Sequence, residues 1–265
     1  MLKNLNVLLF VILFQVTSLY AQDKINQTDA KGYKQGNWIV KFPNGKVRYE
    51  GSYIDNKPVG DWKRFHENGI VKARMTYLPN SDKVAAELFE INGTRYAKGI
   101  YKGTTKDSTW NYYNNLRLVG QEDYAGGVKS GRSVIFYGDG SPATESFWLN
   151  GQPDGVSRSF YPSGKKKTEI MFRAGKREGL SLVYYESGQT EVTGQYVNDL
   201  CEGSWKFNLE DGKLIYELKY KSGVLLNPEI IDTLQNREFK AFDQARGRIK
   251  DPADFTQSPE EYLRK

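Results

Sequence analysis

From residue 36 the chain runs in short stretches of alternating apolar and polar positions, punctuated by glycine. Trp38, Val40 and Phe42 alternate with Ile39 and Lys41, and Pro43-Asn44-Gly45 then interrupts the run. Val47, Tyr49, Gly51 and Tyr53 follow on one side of a second run, with Arg48 and Glu50 on the other. A period of two residues predicts a half-buried strand, and Asn-Gly supplies the positive φ that a tight turn needs. The pair of runs therefore predicts a β-hairpin. Asp55-Asn56-Lys57-Pro58 leads into the next one.

The same text returns every 24 residues. Glycines open units at Gly36, Gly60, Gly131, Gly155, Gly179 and Gly203. A turn glycine stands nine positions later, at Gly45, Gly69, Gly93, Gly140, Gly164, Gly188 and Gly212. An aromatic closes each unit: Tyr53, Tyr77, Tyr101, Tyr124, Trp148, Phe172, Tyr196 and Tyr220. A fixed period of this length marks an array in which each unit packs on its neighbours. The expected fold is all-β: a linear array of about eight 24-residue β-hairpin repeats forming an elongated twisted antiparallel sheet, with a C-terminal capping helix. Unit 3 has Val84 and Ala86 where other units have glycine and tryptophan. Unit 4 opens at Asp107 or Ser108, has Asn114-Asn115 at its turn and is one residue short. These two units are expected to be the weakest part of the array, between Pro79 and Gly131.

The flanks read differently. Residues 1–21 have the form of a secretory signal: Lys3, an apolar run from Val7 to Phe14, and cleavage expected near Ala21. That run is too short for a comfortable membrane span, and the mature chain shows no second one. Residues 22–35 are polar and read as a flexible segment before the repeat domain, 36–226. Asn227-Pro228-Glu229 is a helix start, with Asn as the cap and Pro at the first position. Ile230, Ile231, Leu234, Phe239 and Phe242 continue at roughly helical spacing. The helix is assigned to 227–250, where it would cover the open edge of the last hairpin, and 251–265 to a mobile tail.

Composition narrows the chemistry. High glycine (26 residues) and 14% aromatics favour strands and turns over helices. The formal charge of +6 is compatible with an anionic partner without requiring one. Cys201 is the only cysteine and His66 the only histidine, so no internal disulfide forms, and a nucleophilic pair would need units 2 and 7. His66 reads as a solvated turn residue. No metal, phosphate-loop or hydrolase motif is present, so no catalytic residue, cofactor or metal is assigned. Glu50, Glu145, Glu169 and Glu217 recur opposite the apolar face and are expected in cross-strand pairs. The residues singled out for partner binding are Trp110, Tyr112 and Tyr113 in unit 4, and Lys165, Lys166 and Lys167 beside the unit 6 turn. The lysines could meet phosphate or acidic sugar, or keep a hairpin solvated.

The landmarks Gly36-Asn37-Trp38, Gly45, Glu50 and Tyr53, repeated at Gly60-Asp61-Trp62, Gly69 and Tyr77 and at Gly203-Ser204-Trp205, Gly212, Glu217 and Tyr220, resemble the variant MORN repeats of bacteria. The chain is also similar to exported proteins labelled YwqK-type antitoxins. The resemblance covers about 36–226 and implies strings of hairpins used as scaffolds and interaction surfaces. It implies membrane-lipid contact in some members and, through the antitoxin label, a toxin partner. The function expected is an exported, non-enzymatic scaffold, periplasmic or secreted, that binds a protein in the cell envelope. The alternatives are an anionic glycan or lipid at the cell surface, or a toxin. Nucleic acid is not an expected partner outside the cytoplasm.

Overall fold

The structure is a computed structural model and describes residues 24–246. The signal assigned to 1–21, the helix end at 247–250, the tail at 251–265 and the side chains of Phe239 and Phe242 lie outside the described residues. Eight hairpins run in chain order, formed by the strand pairs Lys34–Lys41 with Val47–Ile54, Lys57–Phe65 with Val71–Tyr77, Lys83–Phe89 with Arg95–Lys102, Thr105–Asn114 with Arg117–Ala125, Val128–Phe136 with Pro142–Leu149, Gly155–Phe160 with Lys166–Arg173, Lys176–Tyr184 with Thr190–Val197, and Leu200–Asn208 with Leu214–Lys221. Every pairing is antiparallel and joins neighbours in sequence, giving one open 19-stranded meander that includes short end pieces.

The sequence landmarks face one another. In each hairpin the opening residue is the partner of the closing aromatic: Gly36 with Tyr53, Gly60 with Tyr77, Val84 with Tyr101, Ser108 with Tyr124, Gly131 with Trp148, Gly155 with Phe172, Gly179 with Tyr196 and Gly203 with Tyr220. Ser108 is thus the opener of unit 4. It adopts a φ of 58°, on the same side as the 63° of Gly60 and the 65° of Gly203. These residues sit where the ladder to the preceding strand slips register, a β-bulge that re-aims the following side chains. Unit 3 shows what the lost glycine does. Val84 cannot take that backbone shape cheaply, and the strand from Lys83 pairs with Val71–Tyr77 in unbroken register.

Two kinds of turn line the two long edges. Within hairpins, Pro43-Asn44-Gly45 and its counterparts are three-residue loops. Gly45 N donates to Phe42 O at 2.9 Å, and Asn44 Oδ1 accepts from Lys46 N. Most hairpins are joined by two-residue turns, with both φ positive at Asp55-Asn56 and Asn198-Asp199, while a longer loop around Asn80 joins units 2 and 3. Unit 4 uses this shorter type inside its hairpin, at Asn115-Leu116, which accounts for its missing residue.

One face of the sheet carries the aromatics. Trp62 meets Tyr53 edge-on at 4.8 Å, with Tyr49 and Tyr77 about it. Trp110 meets Tyr101 at 4.8 Å and Trp205 meets Tyr196 at 4.9 Å. The closing aromatics also stack on cations two positions before an opener: Lys34 on Tyr53, Lys106 on Tyr124, Lys129 on Trp148 and Arg177 on Tyr196. The deepest cluster is Ala86, Ala97 and the fully buried Trp110. It lies in units 3 and 4, the stretch whose sequence suggested the weakest packing. Small residues at 86 and 97 let the strands close over that indole.

Both ends of the sheet are closed by an asparagine. Asn26 Oδ1 accepts from Ile39 N and its Nδ2 donates to Ile39 O, while Gln27–Thr28 pairs with Lys34 and Gln35. Part of the polar segment 22–35 is therefore a strand, because Asp29 Oδ1 accepts from the backbone N–H of Lys31 and Tyr33 and bends it back. At the other end Asn227 Oδ1 accepts from Lys219 N and Nδ2 donates to Glu217 O. The C-terminal helix, Glu229–Arg246, is present, but among the described residues it packs extensively against no strand. The amide of Asn227, which offers a donor and an acceptor as a strand does, takes the edge-covering role expected of the helix.

Candidate binding face

The face opposite the aromatics is built from cross-strand rows. One row is charged: Lys63, Arg74, Glu87, Lys98 and Asn111 are successive partners across five strands. Beside it runs a row that starts at Asp61 and becomes small and apolar: Asp61 pairs with Thr76, Thr76 with Ala85, and Ala85 with Ile100. Between the rows lies a groove of about 590 Å³, floored by the backbone of Gly99 and of Trp62, Met75 and Ala86, whose side chains belong to the aromatic face. The bulges of units 2 and 4 bring Asp61 and Thr109 to its ends. The flat ladder and the alanines of unit 3 leave its middle open. Its charges are partly matched: Lys63 to Glu50 at 3.2 Å, and Glu87 to Arg95 at 2.7 Å and to Arg74 at 3.9 Å.

Further along the same face the rows change character. Val156 pairs with Met171 and Leu180 with Gln195, while Phe147 lies against the backbone of Gly155. Phe147, Met171 and Leu180 are 38%, 41% and 54% exposed. A second groove, about 400 Å³, runs past Val156, Met171, Leu180 and Leu182. The adjoining charged row is closed on itself, because Arg158 bonds Glu169 at 2.8 Å and reaches Glu145 at 3.8 Å.

The residues singled out from sequence do not form one site. Trp110 is fully buried and offers no surface. Tyr112 is half-buried in a chain of polar contacts. Lys106 Nζ donates to its hydroxyl at 2.8 Å, that hydroxyl meets Tyr124 Oη at 3.2 Å, and Tyr124 donates to Glu122 at 2.6 Å. Lys129 Nζ closes the chain on Glu122 at 2.8 Å. Burial, then the bond to Tyr124, raises the Tyr112 phenol far above its ordinary range, and burial lowers the Lys106 ammonium. Burial alone would raise Glu122, but its bonds from Lys129, Tyr124 and Tyr112 outweigh that and hold it below the usual carboxylate value. Tyr113 supports Arg95 at 4.6 Å.

Of the three lysines in unit 6, Lys166 bonds Glu169 and lies over Tyr184, and Lys167 lies over Tyr161. All three lysines lie on the exposed surface. His66 is half-buried rather than solvated, and its Nε2 donates to Phe89 O at 3.0 Å. It occupies the place of Tyr137, Tyr161 and Tyr185, whose hydroxyls donate to Phe160, Tyr184 and Asn208 in the next unit. The shared spacing of six residues from each opener was the available signal. Among the described residues no group of three or more His, Cys, Asp or Glu stands close enough to hold a metal.

Five segments, 34–55, 58–78, 153–174, 177–198 and 202–222, match the family described as MORN repeat variant. The chain is a MORN-repeat protein. The matched MORN segments are units 1, 2, 6, 7 and 8, so the first groove lies mainly over units outside the match. No curated protein matches the chain. Three solved structures are similar over parts of it. The GtfA/B complex is 15% identical over 33% of this chain and 18% of that chain, with a TM-score of 0.26. A TarM mutant of S. aureus, crystallised with fondaparinux, alpha-GlcNAc-glycerol and UDP, is 12% identical over 40% and 21%, with a TM-score of 0.29. Another TarM structure is 12% identical over 44% and 19%, with a TM-score of 0.21. This chain spans about a fifth of the length of those proteins.

Proposed function

We propose that this chain is a non-enzymatic repeat scaffold, exported from the cytoplasm, that holds a protein partner in the cell envelope. MORN repeats generally mediate protein or membrane binding, which supports the coarse reading. The single observation that carries the finer one is the groove over unit 3. It lies where the array departs from its regular pattern, and it sets the small and apolar side chains of Thr76, Ala85 and Ile100 beside a charged row, the composition of a specific contact surface. Export is supported by the form of residues 1–21 alone.

The test is site-specific photo-crosslinking in intact cells of the source organism. A crosslinking residue at Ala85 is compared with one at Ser204, on the same face in unit 8. Capture of one partner from Ala85, lost on Lys98→Glu and absent from Ser204, is the expected result. Equal capture from both positions, or none, overturns the assignment of the groove. Recovery of the full chain in the cytoplasmic fraction overturns export.

A further inference from the structure

The aromatic face has a gap at unit 3. Trp62 lies between two closing tyrosines, with ring centroids 4.8 Å from Tyr53 and 6.1 Å from Tyr77. Trp205 is placed likewise, 4.9 Å from Tyr196 and 6.3 Å from Tyr220. The corresponding pair in unit 3 is Tyr77 and Tyr101, and the residue at the tryptophan position is Ala86. The two tyrosines flank Val84 across two strand spacings, about 10 Å. Met75, which faces Ala86, takes part of the space an indole would fill. The rest is a trough of about 370 Å³.

The floor of the trough is low because the buried Ala73 stands between its partners Arg64 and Leu88. From Lys72 to Tyr77 the trough follows its strand for about 17 Å, and it ends at the turn Gly103-Thr104. Lys72 and Tyr96 are the extra residues of equivalent bulges in units 2 and 3, and both line it. Arg64 stands where unit 1 has Val40, unit 7 Val183 and unit 8 Phe207. Among the described residues no carboxylate lines the trough, and neither Arg64 nor Lys72 makes an ion pair. The phenols are free as well. Tyr112, Tyr137, Tyr161 and Tyr185 all have hydrogen-bond partners. Among the described residues the hydroxyls of Tyr77, Tyr96 and Tyr101 have none. Burial raises all three above the ordinary phenol range, so each stays a neutral hydroxyl able to donate and to accept.

A ligand for this trough has a ring to stand where the indole is absent, hydroxyls to answer three phenols, and an anion for a guanidinium and an ammonium. We propose that the trough binds an acidic polysaccharide, a chain of sugar rings that carry carboxylates. The C–H face of a sugar ring lies against the negative face of a phenol ring. Its hydroxyls exchange hydrogen bonds with the tyrosines, and the planar fork of Arg64 takes the carboxylate. A peptide strand fits less well, because the strands beneath are paired on both sides and offer no free backbone groups. The trough opens on the face opposite the groove of units 2 to 4, so its ligand is independent of the protein partner proposed for that groove.

The test is isothermal titration of the full mature chain with oligosaccharides of galacturonate, mannuronate and glucuronate. A neutral glucan oligosaccharide and polyglutamate serve as comparisons. At least one uronate oligosaccharide should bind saturably, and the neutral glucan should not. Arg64→Glu should weaken that binding about tenfold or more, the loss of one charge-assisted pair. Tyr96→Ser should weaken it with no change of charge. Lys165→Glu, the same change of charge in unit 6, should leave it unchanged. All three sites are exposed, and unchanged circular dichroism confirms the fold. Failure of all three uronates to bind overturns the proposal. So does a neutral glucan or polyglutamate that binds as tightly, a Tyr96→Ser variant that binds like wild type, or an equal loss from Arg64→Glu and Lys165→Glu.

Discussion

Gly51 lies directly beneath the indole of Trp62, so close that a Cβ at residue 51 would stand 2.1 Å from the nearest ring carbon. Gly99 stands in the same relation to Trp110, and Gly194 to Trp205. At three junctions where the tryptophan is replaced by a small residue, the partner is larger: Met75 faces Ala86, Glu122 faces Ser133, and Ile170 faces Ser181. Between units 5 and 6 both positions are serine, Ser146 and Ser157.

The pairing predicts strong coupling. Gly51→Ala should destabilise the chain by about 2–3 kcal/mol, because ring or strand must move. In a Trp62→Ser background the same substitution should cost less than about 0.5 kcal/mol. A double-mutant cycle from urea denaturation measures the difference, and additive effects would refute the relationship.

Glu122 gives a pH test. Its folded value is depressed, so its contribution is present above the ordinary carboxylate value, near 4.3, and is lost as pH falls through the lower folded value. Glu122→Gln should cost about 1–2 kcal/mol at pH 7. The gap to wild type should narrow below about pH 4. A gap independent of pH would show that shape, not charge, matters there.

Ala174 holds a φ of 47° in a two-residue turn where other turns place Asn, Asp, Ser or Gly. A left-handed conformation costs an alanine about 1–2 kcal/mol. Ala174→Gly should therefore raise stability by about 1 kcal/mol, seen as a higher urea midpoint with an unchanged slope. A lower midpoint would mean that the turn is not strained.

Units 3 and 4 hold the deepest cluster, so amide exchange at Ala86, Ala97 and Trp110 should be as slow as at Ser181 and Trp205. Fast exchange confined to 84–112 would restore the weak-link expectation that the sequence raised.

The hairpins and their turns were legible because each depends on residues close in sequence: Asn44-Gly45 makes its own loop, and Gly36 and Tyr53 are joined by one turn. What escaped depends on register between units. That Gly51 makes room for Trp62 follows only once a bulge is known to set them opposite each other. The loss of glycine at Val84 looked like decay, yet it flattens a ladder and opens a groove. Trp110 looked like a display residue because its letter does not say which face it takes. The helix follows Asn227-Pro228 as expected, but the asparagine side chain does not cap it: its hold on Lys219 and Glu217 is a tertiary fact with no local signature.

The asparagines at the two ends have a consequence for how such a chain changes size. Interior units link to their neighbours through recurrent bonds, as Tyr137, Tyr161 and Tyr185 do to the unit after each. Only Asn26 and Asn227 mark a beginning and an end. The molecule is therefore a ruler graduated in pairs of strands. Duplication of one whole unit would move the groove and the helix apart by about 10 Å along the sheet, with both terminal closures and every existing junction intact. A gain of half a unit would reverse the strand that meets the terminal amide. The distance between groove and helix is thus a heritable quantity that can be altered in fixed steps, independently of the chemistry of either.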